Sequence, residues 1–117
     1  MTPDPYSHWH SKTIPMVGHG LLIPFSVHFS EEDLERAAAG LLPQSMDDKW
    51  MGFLESDAIN FYRSWTGHQI YHLPIERQCS SGTAGPLFVV DNPSVYRRQG
   101  DAQDLRIIES LLHRLIK

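Results

Sequence analysis

The stretch "DKWMGFLESDAINFYRSWTGHQIYHLPIE", Asp48 to Glu76, constrains the fold more than any other part of the chain. It is rich in aromatic and β-branched residues, which fit a pleated surface. Only "SDA" and "SWTG" interrupt it. Connections this short cannot carry a crossover, so consecutive strands must run antiparallel. The expectation is three strands: "KWMGFLE", "INFYRS" and "HQIYHLPIE".

Around this meander the pattern changes. "HGLLIPFSVHF" alternates with period two, placing Leu21, Ile23, Phe25, Val27 and Phe29 on one side, and so predicts a strand. Pro24 lacks an amide donor and marks an edge or a bulge there. Ser30 is followed three residues later by Asp33, a capping-box spacing, with acids in the first helical turn. A short helix follows, with Leu34, Ala37, Ala38 and Leu41 as its buried stripe, ended by Gly40 and Pro43. "QCSSGTAGP" and "NPSVYRRQG" read as loops, and "PLFVVD" as a short strand. The last stretch is a helix capped by Asp101, with Leu105, Ile108, Leu112 and Leu115 at helical spacing. Pro3, Pro5, Pro15, Gly18 and Gly20 argue against a long helix near the start, and "GHG" at Gly18 to Gly20 is too short for a phosphate loop.

The expected architecture is a single α+β domain spanning residues 1–117. An antiparallel sheet of about four or five strands packs on the C-terminal helix, with the short helix alongside. The expected core comprises Leu22, Phe25, Val27, Leu34, Phe53, Ile59, Phe61, Ile70, Leu87, Val89, Leu105, Ile108, Leu112 and Leu115.

Composition excludes some roles. With 10 Lys and Arg against 14 Asp and Glu, net charge is -4, so a nucleic-acid surface is not expected. The single cysteine, Cys79, permits no internal disulfide and points to a reducing, cytoplasmic setting. The first residues have no signal-peptide pattern, and "GLLIPF" is too short to span a bilayer, so no membrane partner is expected. There are seven histidines. "HWH" would put His8 and His10 on one face if extended, yet no further ligand has convincing spacing, and no metal or cofactor is expected. Catalytic residues are not identified: Ser80 or Ser81, His72 and Asp91 make a triad only on paper.

The candidate site is the corner "FYRSWTG" with its surroundings: Trp50, Tyr62, Arg63, Ser64, Trp65, Thr66, His68 and Tyr71. Arginine is planar, donates several hydrogen bonds and stacks on aromatic rings, so such a corner can hold a carboxylate, a phosphate or an acidic side chain. Trp, Tyr and Arg also dominate interface hot spots. The plainer alternative is structural: Arg63 pairs with Asp47, Asp48, Asp57 or Glu55, and the tryptophans cover the core. Arg97 and Arg98 form a solvated loop anchored by Asp101 or Asp104, or a second contact for an anionic partner. Two registers are open at the turn. A three-residue loop sets Ser64 against His68 and Tyr62 against Ile70, whereas the tighter one opposes Arg63 to His68.

Met46 to Leu73 resembles a small bacterial domain of unassigned function, with the pattern D-K-W, an acidic turn, F/Y-x-R-S-W-T-G, then I-Y. Asp48, Lys49, Trp50, Tyr62, Arg63, Ser64, Trp65, Thr66, Gly67, Ile70 and Tyr71 carry it. Tyr62 stands where that pattern often has histidine. The domain occurs alone or associated with ADP-ribosylglycohydrolase-like proteins, and the resemblance implies no reaction. Two roles are thus expected. One is a non-catalytic protein of the immunity, antitoxin or accessory type that recognises a protein partner. The other is an ADP-ribose- or nucleotide-related ligand-binding or enzymatic module, with Arg63 on a phosphate, Trp65 or Trp50 under the base, and His68 or His72 moving protons.

Overall fold

The aromatic meander forms as its composition requires. In the computed structural model, which describes residues 4–16 and 20–117, β3 (Trp50–Glu55), β4 (Ala58–Arg63) and β5 (Gln69–Gln78) pair antiparallel in sequence order. Ser56 and Asp57 make the first turn, with Ser56 at positive φ.

The rest of the sheet is an edge ribbon bent in the middle. β1 (Leu21–Ile23) pairs with β7 (Leu87–Val89), and β2 (Val27–Phe29) pairs with β6 (Ser81–Ala84). Both β7 and β6 lie against the long β5, along successive parts of it. The break falls at Pro24–Ser26 on one strand and Gly85–Pro86 on the other, where two prolines remove ladder donors. The main path of the sheet is β1-β7-β5-β4-β3, with β6 and β2 branching from β5.

The α+β class matches expectation, but among the described residues the sheet has seven strands rather than four or five. Two differences account for this. The single strand expected over "HGLLIPFSVHF" is split in two at Pro24, and its expected first residue, His19, lies outside the described residues. "QCSSGTAGP" is no loop: β5 continues to Gln78, and β6 returns from a turn at Cys79–Ser80, with Cys79 in the left-handed region. Ser and Gly side chains carry little strand signal, and here pairing on both sides of β6 overrides propensity.

Among the described residues, three helices cover the sheet. α1 (Pro5–His10) starts with Asp4 as cap and Pro5 at its entrance. α2 (Glu31–Ala38) has the expected capping box, Ser30 and Asp33 exchanging bonds of 3.1 and 3.0 Å. α3 (Asp101–Leu115) buries Asp104, Ile108, Leu111, Leu112 and Leu115. Asp101 does not cap α3; Gly100 holds the cap position without a side-chain bond, because the Asp101 carboxylate is taken by Arg98.

The sheet separates two apolar layers. On one face Ile59, Phe61, Tyr71, Leu73, Leu87 and Val89 meet α3, with Leu34 and Ala37 of α2 in the same cluster. Burying each such side chain contributes about 1.5–3 kcal/mol. On the other, Met51, Phe53 and Tyr62 lie under Tyr6, Trp9 and Leu42. Two expected core positions differ. Leu22 is 58% exposed, since the pleat that turns Ile23 and Phe29 inward turns Leu22 out. Ala38 is exposed, one helical step beyond the face that Leu34 and Ala37 bury.

Candidate functional site

The β4–β5 hairpin uses both registers. At its tip Arg63 opposes His68: the Arg63 N–H donates to the His68 carbonyl at 3.0 Å, and the Gly67 N–H donates to the Arg63 carbonyl at 2.7 Å. Tyr62 pairs with Gln69, yet the next pair is Phe61 with Tyr71. The extra residue is Ile70, a bulge that shifts the ladder by one. Gly67 sits at φ +82°, as a left-handed turn residue should.

Neighbouring segments hold this tip in place. The Ser64 N–H and hydroxyl donate to the Lys49 and Asp48 carbonyls at 2.9 and 2.6 Å. Ile14 bridges the tip from the other side, its N–H donating to the Gly67 carbonyl and its carbonyl accepting from the Gln69 N–H. Thr66 is exposed and accepts from the His68 N–H at 3.3 Å.

The pleat distributes the candidate residues over three surroundings. Trp50 and Arg63 are directly paired across β3 and β4 and share the α3 side of the sheet. The Arg63 guanidinium carbon lies 4.5 Å from the Trp50 ring centre and 5.3 Å from that of Tyr96. Tyr71 stacks on Trp50 at 5.5 Å and is wholly buried, so it supports this corner from beneath. Its hydroxyl donates to buried Asp104 at 2.8 Å, and Asp104 also receives Arg98 at 2.8 Å. Burial, then Tyr96 and Asp104, push the Tyr71 phenol far above its ordinary value. Arg98 is therefore an internal anchor, as one reading of "VYRRQG" expected.

Three of the four acids weighed as partners for Arg63, namely Asp48, Asp57 and Glu55, are engaged elsewhere. Asp48 accepts from the Gln44 N–H and faces Arg114 at 3.7 Å, and Asp57 faces Arg77 at 3.8 Å. Glu55 lies on the opposite face, bonded to Tyr62, Asn60 and His10. Among the described residues no carboxylate pairs with Arg63, which rests on aromatic rings alone.

Trp65 faces outward. It is 71% exposed, and its indole N–H donates to the Met46 carbonyl at 3.0 Å, which fixes the ring. Met46 is 82% exposed. With Trp9, Pro43, Gln44, Ser45 and Ser64 they line a cleft of about 470 Å³. The sequence pointed to Trp65 but not to Trp9 or Met46, since the tertiary fold brings these three together.

Tyr62 belongs to a polar network on the α1 side. Its hydroxyl donates to Glu55 at 2.5 Å, beside the Asn60 amide at 2.9 Å and His10 at 2.8 Å. Burial alone would raise the Glu55 carboxyl. The bonds from Tyr62, Asn60 and His10 outweigh it and hold Glu55 below the ordinary range. Burial and then the Glu55 bond push the Tyr62 phenol well up. His72 reaches Asn60 at 2.6 Å, and burial lowers its imidazole below the ordinary 6.5 against the pull of Glu55. His68 lies apart, beside Ile14. The paper triad does not assemble: Ser81 pairs with Gln78, six residues along β5 from His72 or about 20 Å of extended strand, with Ser80 in the turn beyond, and His72 bonds Asn60 rather than Asp91. His8 and His10 do not share a face, because they lie on a helix and His10 alone turns to Glu55.

Fold and site together define an α+β protein with a mostly antiparallel sheet and a buttressed, tryptophan-bearing hairpin tip. No known protein family matches the chain, and neither does any curated protein or solved structure. No helix among the described residues is long and apolar enough to cross a membrane.

Proposed function

We propose that this chain is a non-catalytic binding protein, of the immunity, antitoxin or accessory type, whose partner is another protein received at the Trp65 tip. The observation that carries this reading is Trp65 itself. A large aromatic side chain, 71% exposed, is held on a rigid hairpin beside Met46 and a cleft floored by Trp9. Aromatic residues and methionine are enriched at interface cores, and a ring fixed beforehand loses little entropy on binding. The experiment compares wild-type chain with Trp65→Ala and with Thr83→Ala, an exposed change on β6, in pull-downs from the native host followed by affinity measurement. Trp65→Ala is expected to weaken the captured partner by about 2 kcal/mol or more, and Thr83→Ala to leave it intact. Equal recovery by all three chains counts against the reading.

A second reading rests on Arg63. A guanidinium stacked on Trp50 without a carboxylate partner suits an anionic group such as the phosphates of ADP-ribose or a nucleotide. Under this reading, millimolar ADP-ribose, NAD or nucleotide raises the melting temperature of wild-type chain and not of Arg63→Ala. An unchanged melting temperature removes it.

A further inference from the structure

His72 stands on the sheet face opposite α3, away from both the Trp65 cleft and the Arg63 corner. Leu22, Phe88, His72 and Asn60 are successive cross-strand partners on β1, β7, β5 and β4, so their side chains form one row. Leu22 is exposed, Phe88 is half-buried, and the Phe88 ring lies 5.9 Å from the imidazole.

The hydrogen bonds of this row have a fixed direction. At one end Glu55 is a carboxylate that only accepts, so the Asn60 atom 2.9 Å from it is the amide nitrogen Nδ2. At the other end the Met16 N–H only donates, so the Gln69 atom 2.9 Å from it is Oε1. Gln69 therefore turns Nε2 toward Asn60 Oδ1, at 2.9 Å. Asn60 Oδ1 accepts only, and it lies 2.6 Å from His72 Nδ1. Nδ1 must carry the proton. The uncharged imidazole then has a bare lone pair at Nε2, which bonds to nothing among the described residues.

We propose that His72 Nε2, Phe88 and Leu22 form a binding site for a small neutral molecule that carries a hydroxyl on an aromatic or aliphatic body. The hydroxyl donates to Nε2 and the body lies on Phe88 and Leu22. A cationic ligand is disfavoured because the Glu55 oxygens are engaged, Oε1 by Tyr62 and Asn60 and Oε2 by His10. An anion is disfavoured because the free nitrogen is an acceptor and a carboxylate stands behind it.

The test uses the full chain labelled with ¹⁵N at histidine, with phenol as probe and toluene as its partner without a hydroxyl. At neutral pH the ring spectrum of His72 is expected to show the proton on Nδ1. Added phenol shifts the Nε2 resonance saturably, and toluene binds about fivefold more weakly or worse. Leu22→Lys, a change at an exposed position, weakens phenol binding and leaves the tautomer as it was. A proton found on Nε2 overturns the proposal. So does an equal response to phenol and toluene, or no saturable shift at millimolar phenol.

Discussion

Gly67 carries two constraints at one Cα. Its φ of +82° is costly for any residue with a Cβ, and a Cβ built there would run into the Lys12 carbonyl oxygen. The first constraint is legible in "SWTG"; the second is not, since Lys12 is remote in sequence. Gly67→Ala is therefore expected to lower unfolding free energy by about 2–4 kcal/mol in urea titration, more than turn geometry alone would cost. Arg63 shows the same division. Its residue type announces stacking and anion chemistry, but only the structure shows that Asp48, Asp57 and Glu55 are occupied elsewhere. Asp104 is wholly buried, and only the fold reveals it as the acceptor shared by Tyr71 and Arg98.

Among the elements, α2 follows most directly from local signals. Ser30 and Asp33 are close in sequence, so the capping box forms wherever the helix does. Ser30→Ala is expected to cost about 1 kcal/mol, seen as a lower urea midpoint with unchanged slope, because Leu34 and Ala37 dock whether or not the cap is present. β6 is the opposite case. Nothing in "SSGTA" favours a strand; its place between β2 and β5 does. The β4–β5 hairpin is intermediate. Its two strands are evident from alternation, but the bulge at Ile70 depends on the tip being stitched to Ile14 and Lys49. Alternation along β4 turns Arg63 toward α3 and Tyr62 toward Glu55, and so it separates residues that are adjacent in the motif.

For the whole molecule, stability against acid depends on the sheet face opposite α3, where His72 and Glu55 are joined through Asn60. His72 has a folded pKa below its ordinary 6.5, so the unfolded chain binds the proton first. Its contribution is complete above pH 6.5 and falls as pH drops through that value toward the folded one. Glu55 has a folded pKa below its ordinary 4.5, and its contribution likewise holds above that value and is lost as pH falls further. Both act in the same direction. Melting temperature measured from about pH 8 down to pH 3 is expected to decline in two stages, and Glu55→Gln to suppress the lower one. A profile that rises on acidification would contradict both assignments.

Local order is what the sequence determined unaided: the antiparallel meander, the capped helix, the amphipathic C-terminal helix and the left-handed glycine at the turn. Each depends on residues a few positions apart, where periodicity and backbone sterics act without help. Tertiary structure alone decided which face each side chain took and who its neighbours were. It put Trp65 beside Trp9 and Met46, left Arg63 on rings without an acid, and tied His72 to Glu55 through Asn60. The physical reason is that pleat and bulge convert a shift of one residue into a change of face, and that shift is set by contacts between segments far apart in the chain.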